Sequence, residues 1–313
     1  MRGLIVLLCV AMLAGCQSAD TSSSPQLAAA SAAPQQSIFV EQPVPVIEHR
    51  AYASIVIDAR NGKVLHQENA TSPRYPASLT KMMTLYLVFE KLDNGSWNRQ
   101  TLLSVSPEAA SRPPTKLGVK AGVPVPVDTA VRALAVHSAN DVAVVIAENI
   151  AGSEEAFARL MTARARSLGM YQTSFVNASG LPDDRQYTTA RDMALLGKAL
   201  SDRFPRWFDY FSTREVSYNG RTWKNTNKLL TKVQGMNGIK TGYIRNSGYN
   251  LCASVERGGK HIIAVVIGGR SGASRNAQME KLIEEYLPEA SGGGLFGFTP
   301  EPGLLAALGD GPA

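Results

Sequence analysis

The stretch PASLTKMMTLYLVFEKL, residues 76–92, marks where the chain changes from strand to helix. From Leu79 onward it is rich in strong helix formers. Ser78 occupies a capping position with Pro76 just ahead, so a helix is expected to begin at Ser78. Upstream the signal is the opposite one. Residues 53–58 and 63–67 are strand-forming and are joined across Asn61-Gly62, a pair that tolerates the positive φ of a tight hairpin. Downstream, a second apolar helical stretch covers residues 128–150 and is interrupted at His137-Ser138-Ala139-Asn140, because neighbouring Ser and Asn favour caps and turns over helix interior. Residues 154–168 and 189–202 read as further helices. Strand signals return at 215–218, 238–240, 248–256 and 261–267, with Gly258-Gly259 as a hairpin turn. Met279, Leu282, Ile283, Tyr286 and Leu287 then repeat at i, i+3, i+4, i+7 and i+8, a helix with one buried face. Strands at both ends with helices between them predict an α+β fold, an antiparallel sheet carrying an all-helical insertion.

The whole chain has 313 residues, 44% apolar and 19% charged, which is ordinary globular composition and excludes a disordered chain, a collagen or a disulfide scaffold. Its 32 basic and 26 acidic residues leave a formal charge of +6. They are scattered without a Lys/Arg block, which argues against a nucleic-acid partner and leaves an anionic surface or substrate compatible.

Arg2 and the apolar run 4–13 have the charged start and short centre of a secretory signal, too short to span a hydrocarbon core of about 30 Å. Leu13-Ala14-Gly15-Cys16 resembles a bacterial lipobox. That resemblance implies cleavage before Cys16, acylation of its thiol and new amino group, and anchoring worth about 0.8 kcal/mol per buried CH₂. A plain secretory signal with an incidental cysteine is the alternative. Gln17, where aspartate would mark inner-membrane retention, resembles an outer-membrane address. The expected organisation is a signal peptide over 1–15, a lipid-anchored tether over 16–50, a folded domain over 51–290 held in the periplasm, and a disordered Gly/Pro-rich tail over 291–313. The tether assignment rests on composition: 21 of the 34 residues from 17 to 50 are Ala, Ser, Gln or Pro. Cys9 leaves with the signal and Cys16 takes lipid, so Cys252 has no disulfide partner and is expected in the core.

Ser78 and Lys81, three positions apart at a helix start, project from one face and come within hydrogen-bond reach. A serine hydroxyl is a poor nucleophile until a base takes its proton, and lysine is that base only when burial or a nearby cation neutralises it. The required fall is from about 10.4 to about 7 or 8. The helix start also aims backbone N–H groups at charge developing on a carbonyl oxygen. Taken alone, S-x-x-K equally fits a capping serine beside a surface lysine. Ser138-Ala139-Asn140 follows between helical stretches, and Lys240-Thr241-Gly242 stands at the end of a short strand. Each has an ordinary structural reading by itself.

Together, in this order and context, the three resemble the active-site motifs of the penicillin-recognising SxxK serine acyltransferases. The resemblance narrows to the D-alanyl-D-alanine carboxypeptidases of low molecular mass. It covers roughly residues 52–287, through Pro76-Ala77-Ser78-Leu79-Thr80-Lys81, His137-Ser138-Ala139-Asn140-Asp141, Gly180-Leu181-Pro182-Asp183, Thr189-Ala190-Arg191-Asp192-Met193-Ala194-Leu195 and Lys240-Thr241-Gly242. It implies a β-lactamase/transpeptidase-like fold with the active site in the cleft between sheet and helices. Two departures stand out. The middle motif usually reads Ser-Gly-Asn, and Ala139 adds a methyl group to a tight turn. Several members also carry a β-rich domain and an amphipathic anchor helix after the catalytic part. This sequence stops short of both, and a lipid at Cys16 is expected to replace that anchor.

Carried over residue by residue, the resemblance implies that Ser78 attacks the carbonyl between the terminal D-alanines of a peptidoglycan stem peptide while Lys81 accepts its proton. Ser138 resembles the proton shuttle to the departing amine, and Asn140 the group that holds the substrate amide and orients Lys81. Lys240 brings a second positive charge near Lys81, which favours the neutral amine. Thr241 with Arg270 resembles the clamp for the terminal carboxylate, a task that suits the planar fork of arginine. Gly242 lets an extended peptide lie close to the strand edge, and the N–H groups of Ser78 and Tyr243 form the implied oxyanion hole. β-lactams are implied as covalent inhibitors; no cofactor or metal is implied.

Other chemistries fit less well. A class A β-lactamase needs a glutamate about 36 residues after the middle motif, where Thr173, Ser174 and Phe175 stand instead. The implied outcome is a slow-clearing acyl-enzyme. His49, His66, His137 and His261 have no metal-ligand spacing. His137 beside Ser138 is read as packing, since adjacent side chains point apart and no G-x-S-x-G elbow exists. Residues 292–297 match G-x-G-x-x-G but lie in the expected tail, outside any βαβ unit. Cleavage of D-alanyl cross-links by the same machinery, or a non-catalytic wall-binding lipoprotein, remain as alternatives.

Overall fold

The computed structural model of the chain describes residues 44–292. The expected signal peptide, Cys9, Cys16, the tether up to residue 43 and the tail from residue 293 lie outside the described residues. At the described margins, Arg50 donates from Nε to Arg245 O, and Ser291 donates its N–H to Asp58, so both boundary residues are bonded to the folded domain.

The expected hairpin forms from β1 (Ala53–Asp58) and β2 (Val64–Glu68), with Gly62 at φ +76° in the turn. A 3₁₀ turn, Ala77–Thr80, leads into α1 (Lys81–Asp93). The helix therefore starts three residues later than Ser78, and no side chain caps either segment. Ser78 is instead the one residue of the 3₁₀ turn that is not buried. Next come β3 (Leu102–Leu103), α2 (Pro107–Ser111) and β4 (Val125–Pro126). β3 and β4 pair with each other inside the otherwise helical part, and strands of two residues carry no period to read from sequence.

The second helical stretch is α3 (Val127–Arg132), a π-helical turn (Ala133–His137) and α4 (Asn140–Ala151), broken where the Ser-Asn pair predicted. α5 (Glu154–Ser167) is capped by Ser153 and α6 (Ala190–Arg203) by Thr189. After α7 (Pro205–Phe208) and the small hairpin of β5 (Glu215–Tyr218) and β6 (Arg221–Lys224), the chain closes with β7 (Met236–Ile244), β8 (Gly248–Arg257), β9 (Lys260–Gly269) and α8 (Gly272–Tyr286).

Five strands form one antiparallel sheet in the order β2-β1-β9-β8-β7. Successive strand residues point to opposite faces, and β9 shows the result: Ile263, Val265 and Ile267 join the core beneath α1, α4 and α6, while Ile262, Ala264 and Val266 join the core beneath α8. A sheet covered on both faces needs apolar residues at every position, which is why β8 and β9 read as near-continuous apolar runs. Cys252 is fully buried in the first of these cores and burial pushes its thiol up, as expected for a packing residue. Among the described residues β7, carrying Lys240-Thr241-Gly242, ends the sheet on the side of the 3₁₀ turn.

Candidate active site

The turn that carries Ser78 is held by backbone contact from two glycines. A Cβ built on Gly242 would stand 3.1 Å from Ser78 N and 3.2 Å from Leu79 N, so the absence of a side chain at position 242 lets β7 lie close against the turn. On the other side, a Cβ on Gly180 would stand 1.9 Å from the Ala77 carbonyl oxygen, and Gly180 itself has φ +85°. Wedged between them, Ala77 adopts φ +49°, a left-handed conformation that costs an L-residue of order 1–3 kcal/mol. Gly242 therefore serves the approach of strand to nucleophile turn, a contact different from the substrate clearance expected of it.

Lys81 is completely buried. Its Nζ lies 3.2 Å from Ser78 Oγ, 2.8 Å from Asn140 Oδ1 and 2.5 Å from Ser179 O. The last two acceptors carry no proton to give. Burial, and secondarily the positive charge of Lys240, hold the ammonium well below its ordinary range, while Asp141 and Glu154 pull weakly the other way. A neutral amine has two N–H groups and one lone pair. The two carbonyl-type oxygens take the N–H groups, which leaves the lone pair for the Ser78 hydroxyl proton.

Asn140 is oriented by its surroundings: its Nδ2 donates to Pro113 O at 3.1 Å and its backbone N–H to Thr115 O at 2.7 Å. Ser138 ends the π-helical turn at φ +63°, and its Oγ is buried with no hydrogen-bond partner among the described residues. Ala139 itself has φ −64° and ψ 119°, an ordinary extended conformation. Its methyl group is thus accommodated, because the left-handed position of this turn is Ser138. The Asp141 carboxylate accepts N–H groups from Leu117, Gly118 and Val119 and so fixes the loop behind Pro114 and Thr115. Glu154, at the first turn of α5, accepts the N–H of Ala178 at 3.0 Å and pairs with Arg112, which steadies the segment presenting Ser179 O.

Ser78, Ser138, Asn140, Thr241, Gly242 and Tyr243 line one open cleft of about 910 Å³, a size at the upper end for small-molecule sites. Lys240 precedes the cleft-lining Thr241 and is buried, 1% exposed; its Nζ donates to Thr241 O at 3.0 Å, and its ammonium is lowered to about 7 by burial and by Arg275. Thr241 Oγ1 bonds Thr226 Oγ1 at 2.8 Å. Tyr243 is half-exposed and its ring lies 4.3 Å from that of Tyr249. His137 packs on Trp223 and donates to Lys116 O, in line with the packing reading. Ser174 pairs with Tyr187 and does not line the cleft.

The arginine expectation is corrected. Arg270 is exposed and outside the cleft, whereas Arg275, five residues on, is buried in its wall with Nη1 donating to Asn250 O at 2.6 Å. The cause is where α8 begins. Ser271 and Ser274 form a reciprocal capping box that starts the helix at Gly272 and turns Arg275 inward in its first turn. A cation at that end of a helix opposes the macrodipole, and that oddity was readable in the sequence. Burial lowers the Arg275 guanidinium to about 10; it remains charged at neutral pH. The carbonyl of Ser179 and the carboxylates of Asp141 and Glu154 were not assigned roles from sequence either, since nothing local marks them.

Comparison with known proteins identifies the family and the fold. The sequence profile of the D-alanyl-D-alanine carboxypeptidase family matches residues 37–271. The chain is 38% identical over 247 residues to D-alanyl-D-alanine carboxypeptidase DacA of Escherichia coli (strain K12), covering 77% of this chain and 61% of that protein. It therefore spans about three-fifths of that relative's length. Among solved structures, D-alanyl-D-alanine carboxypeptidase DacD from Francisella tularensis superposes with a TM-score of 0.73 at 30% identity, covering 81% of this chain and 73% of that one. Penicillin-binding protein D2 from Listeria monocytogenes, in its ampicillin-bound form, gives 0.65 at 31% identity, covering 78% and 98%. The fold is that of these penicillin-binding proteins.

Proposed function

Because the chain belongs to the D-alanyl-D-alanine carboxypeptidase family, we propose that it removes the terminal D-alanine from peptidoglycan stem peptides through an ester on Ser78. The observation that carries this reading is the buried, neutral-leaning Lys81 within 3.2 Å of the hydroxyl of a partly buried serine. Lys81 takes the Ser78 proton as Oγ bonds to the penultimate D-alanyl carbonyl. The peptide C–N bond then breaks, and the proton passes to the departing amine by way of Ser138, whose unpartnered hydroxyl is suited to relay it. Water hydrolyses the ester by the reverse relay. The N–H groups of Ser78 and Tyr243 stabilise the oxyanion, and Thr241 with Arg275 takes the terminal carboxylate. β-lactams enter the same cycle and stop at the ester. The ampicillin-bound relative supports this, as does the absence of a glutamate near Ser174.

The lipobox-like segment supports a lipoprotein held in the periplasm by acyl chains on Cys16, at the outer membrane. Membrane fractionation of a Cys16→Ser variant tests this point. The catalytic reading is tested by mass spectrometry after incubation with penicillin. One adduct on Ser78 is expected, absent in Ser78→Ala, together with release of D-alanine from a pentapeptide; an unmodified intact protein would overturn it.

A further inference from the structure

The cleft does not end at the residues assigned to the reaction. One wall continues along α8 past Arg275 to Glu280, five residues and therefore about 7.5 Å farther along the helix axis. The facing wall continues from Thr226, which touches Thr241, to Lys228 and Lys232. These lysines are four residues apart on and just after a 3₁₀ turn, Lys228–Thr231, and both side the cleft. The turn is a fixed platform: Asn227 caps it by accepting the Leu229 N–H at 3.1 Å, and Leu229 is fully buried in the core beneath α8.

Neither lysine has an ion-pair or side-chain hydrogen-bond partner among the described residues, although Glu280 lines the same cleft. The proposed reaction gives them nothing to bind, because a terminal carboxylate is taken at Thr241 and Arg275. We infer that Lys228 and Lys232 form a subsite for a second carboxylate of the substrate, distinct from the one at its C-terminus. Two unpaired cations on an anchored turn favour a ligand that brings an anionic group to that wall.

Such a carboxylate belongs to the side chain of the residue preceding the two D-alanines. The carboxylate of an amine-donating residue in a cross-link lies beside the scissile amide and takes the terminal one's place at Thr241 and Arg275. The covalent step is unchanged: the ester to Ser78 forms, the amide C–N bond breaks and the proton goes to the departing amine.

This inference rests on the proposed reaction, and the test separates the two. Release of D-alanine is compared for N-acetyl-lysyl-D-alanyl-D-alanine and for the same peptide with a carboxylate on the side-chain end, the diaminopimelyl form. The unaltered protein should favour the carboxylate in kcat/KM by about tenfold, the size supplied by two partly solvated charge contacts. The preference should fall as ionic strength rises, collapse toward one in the Lys228→Ala, Lys232→Ala double variant and return with arginine at both positions. A ratio near one in the unaltered protein, with penicillin still labelling Ser78, overturns the subsite alone. No penicillin adduct overturns the reaction itself.

Discussion

Nζ of Lys81 lies 2.8 Å from Oδ1 of Asn140, whose amide nitrogen is committed to Pro113 O at 3.1 Å. The amide is thereby locked with its acceptor toward the base. Asn140→Asp keeps the shape but sets a carboxylate at that position, which raises the pKa of Lys81 and keeps it protonated. Penicillin acylation near neutral pH should fall by about 10²–10⁴-fold, the range for loss of a working base. Activity should partly return as pH rises, so the acidic limb of the acylation profile moves to higher pH. A profile displaced in the other direction, or not at all, would contradict a neutral Lys81 as base.

Gly180→Ala tests the wedge behind the nucleophile. The added methyl meets backbone at 1.9 Å, and φ +85° is itself unfavourable for alanine, so no side-chain rotation relieves it. We expect a loss of about 3 kcal/mol in stability, or about 6–12 °C in Tm for a domain of this size. Acylation should slow as well, because the Ala77 peptide moves with Ser78. A normal melting curve combined with normal acylation would show that the turn is not held from this side.

What the sequence makes legible follows from where each contact originates. Ser78 and Lys81 share one turn, and the Ser138-Asn140 interruption announces itself by residue type, so both could be read locally. The sheet was equally plain, since β8 and β9 are apolar throughout and joined by Gly258-Gly259. The 3₁₀ winding at Ala77–Thr80 was not legible, because it is imposed by Gly180 and Gly242 from distant parts of the chain. That Arg275 and not Arg270 faces the cleft is hidden for a different reason. Both follow β9 closely, and which one faces the cleft depends on the capping box at Ser271 and Ser274.

Those two arginines are separable by experiment. Arg275→Gln removes the buried fork beside Thr241 and should lower acylation by carboxylate-bearing β-lactams by about 10–100-fold in kcat/KM, the equivalent of about 1.5–3 kcal/mol for a charged hydrogen bond. Arg275→Lys should recover little of it, because an ammonium cannot reproduce bidentate geometry. Arg270→Gln, at an exposed position outside the cleft, should stay within about twofold of the unaltered protein. Equal losses in the two glutamine variants would count against the assignment of Arg275.

Lys240 links the site to the stability of the whole domain. Burial lowers its ammonium from 10.5 to about 7 in the folded protein. Between those values the unfolded chain holds a proton that the folded chain has released. Unfolding free energy therefore rises with pH across that window, by at most about 1.4 kcal/mol per pH unit for one such group. Below about pH 7 the folded protein must keep a charge in its interior, and the full destabilisation remains. Lys81 is shifted in the same direction and adds to the slope. Urea unfolding followed from near-neutral to alkaline pH should show this rise, and Lys240→Met should be more stable at neutral pH with a shallower slope. The same variant loses the like charge facing Lys81, so the acidic limb of any residual acylation should move to higher pH. A domain whose stability falls through this range, or a Lys240→Met variant with an unchanged slope, would mean that Lys240 stays charged in the folded state.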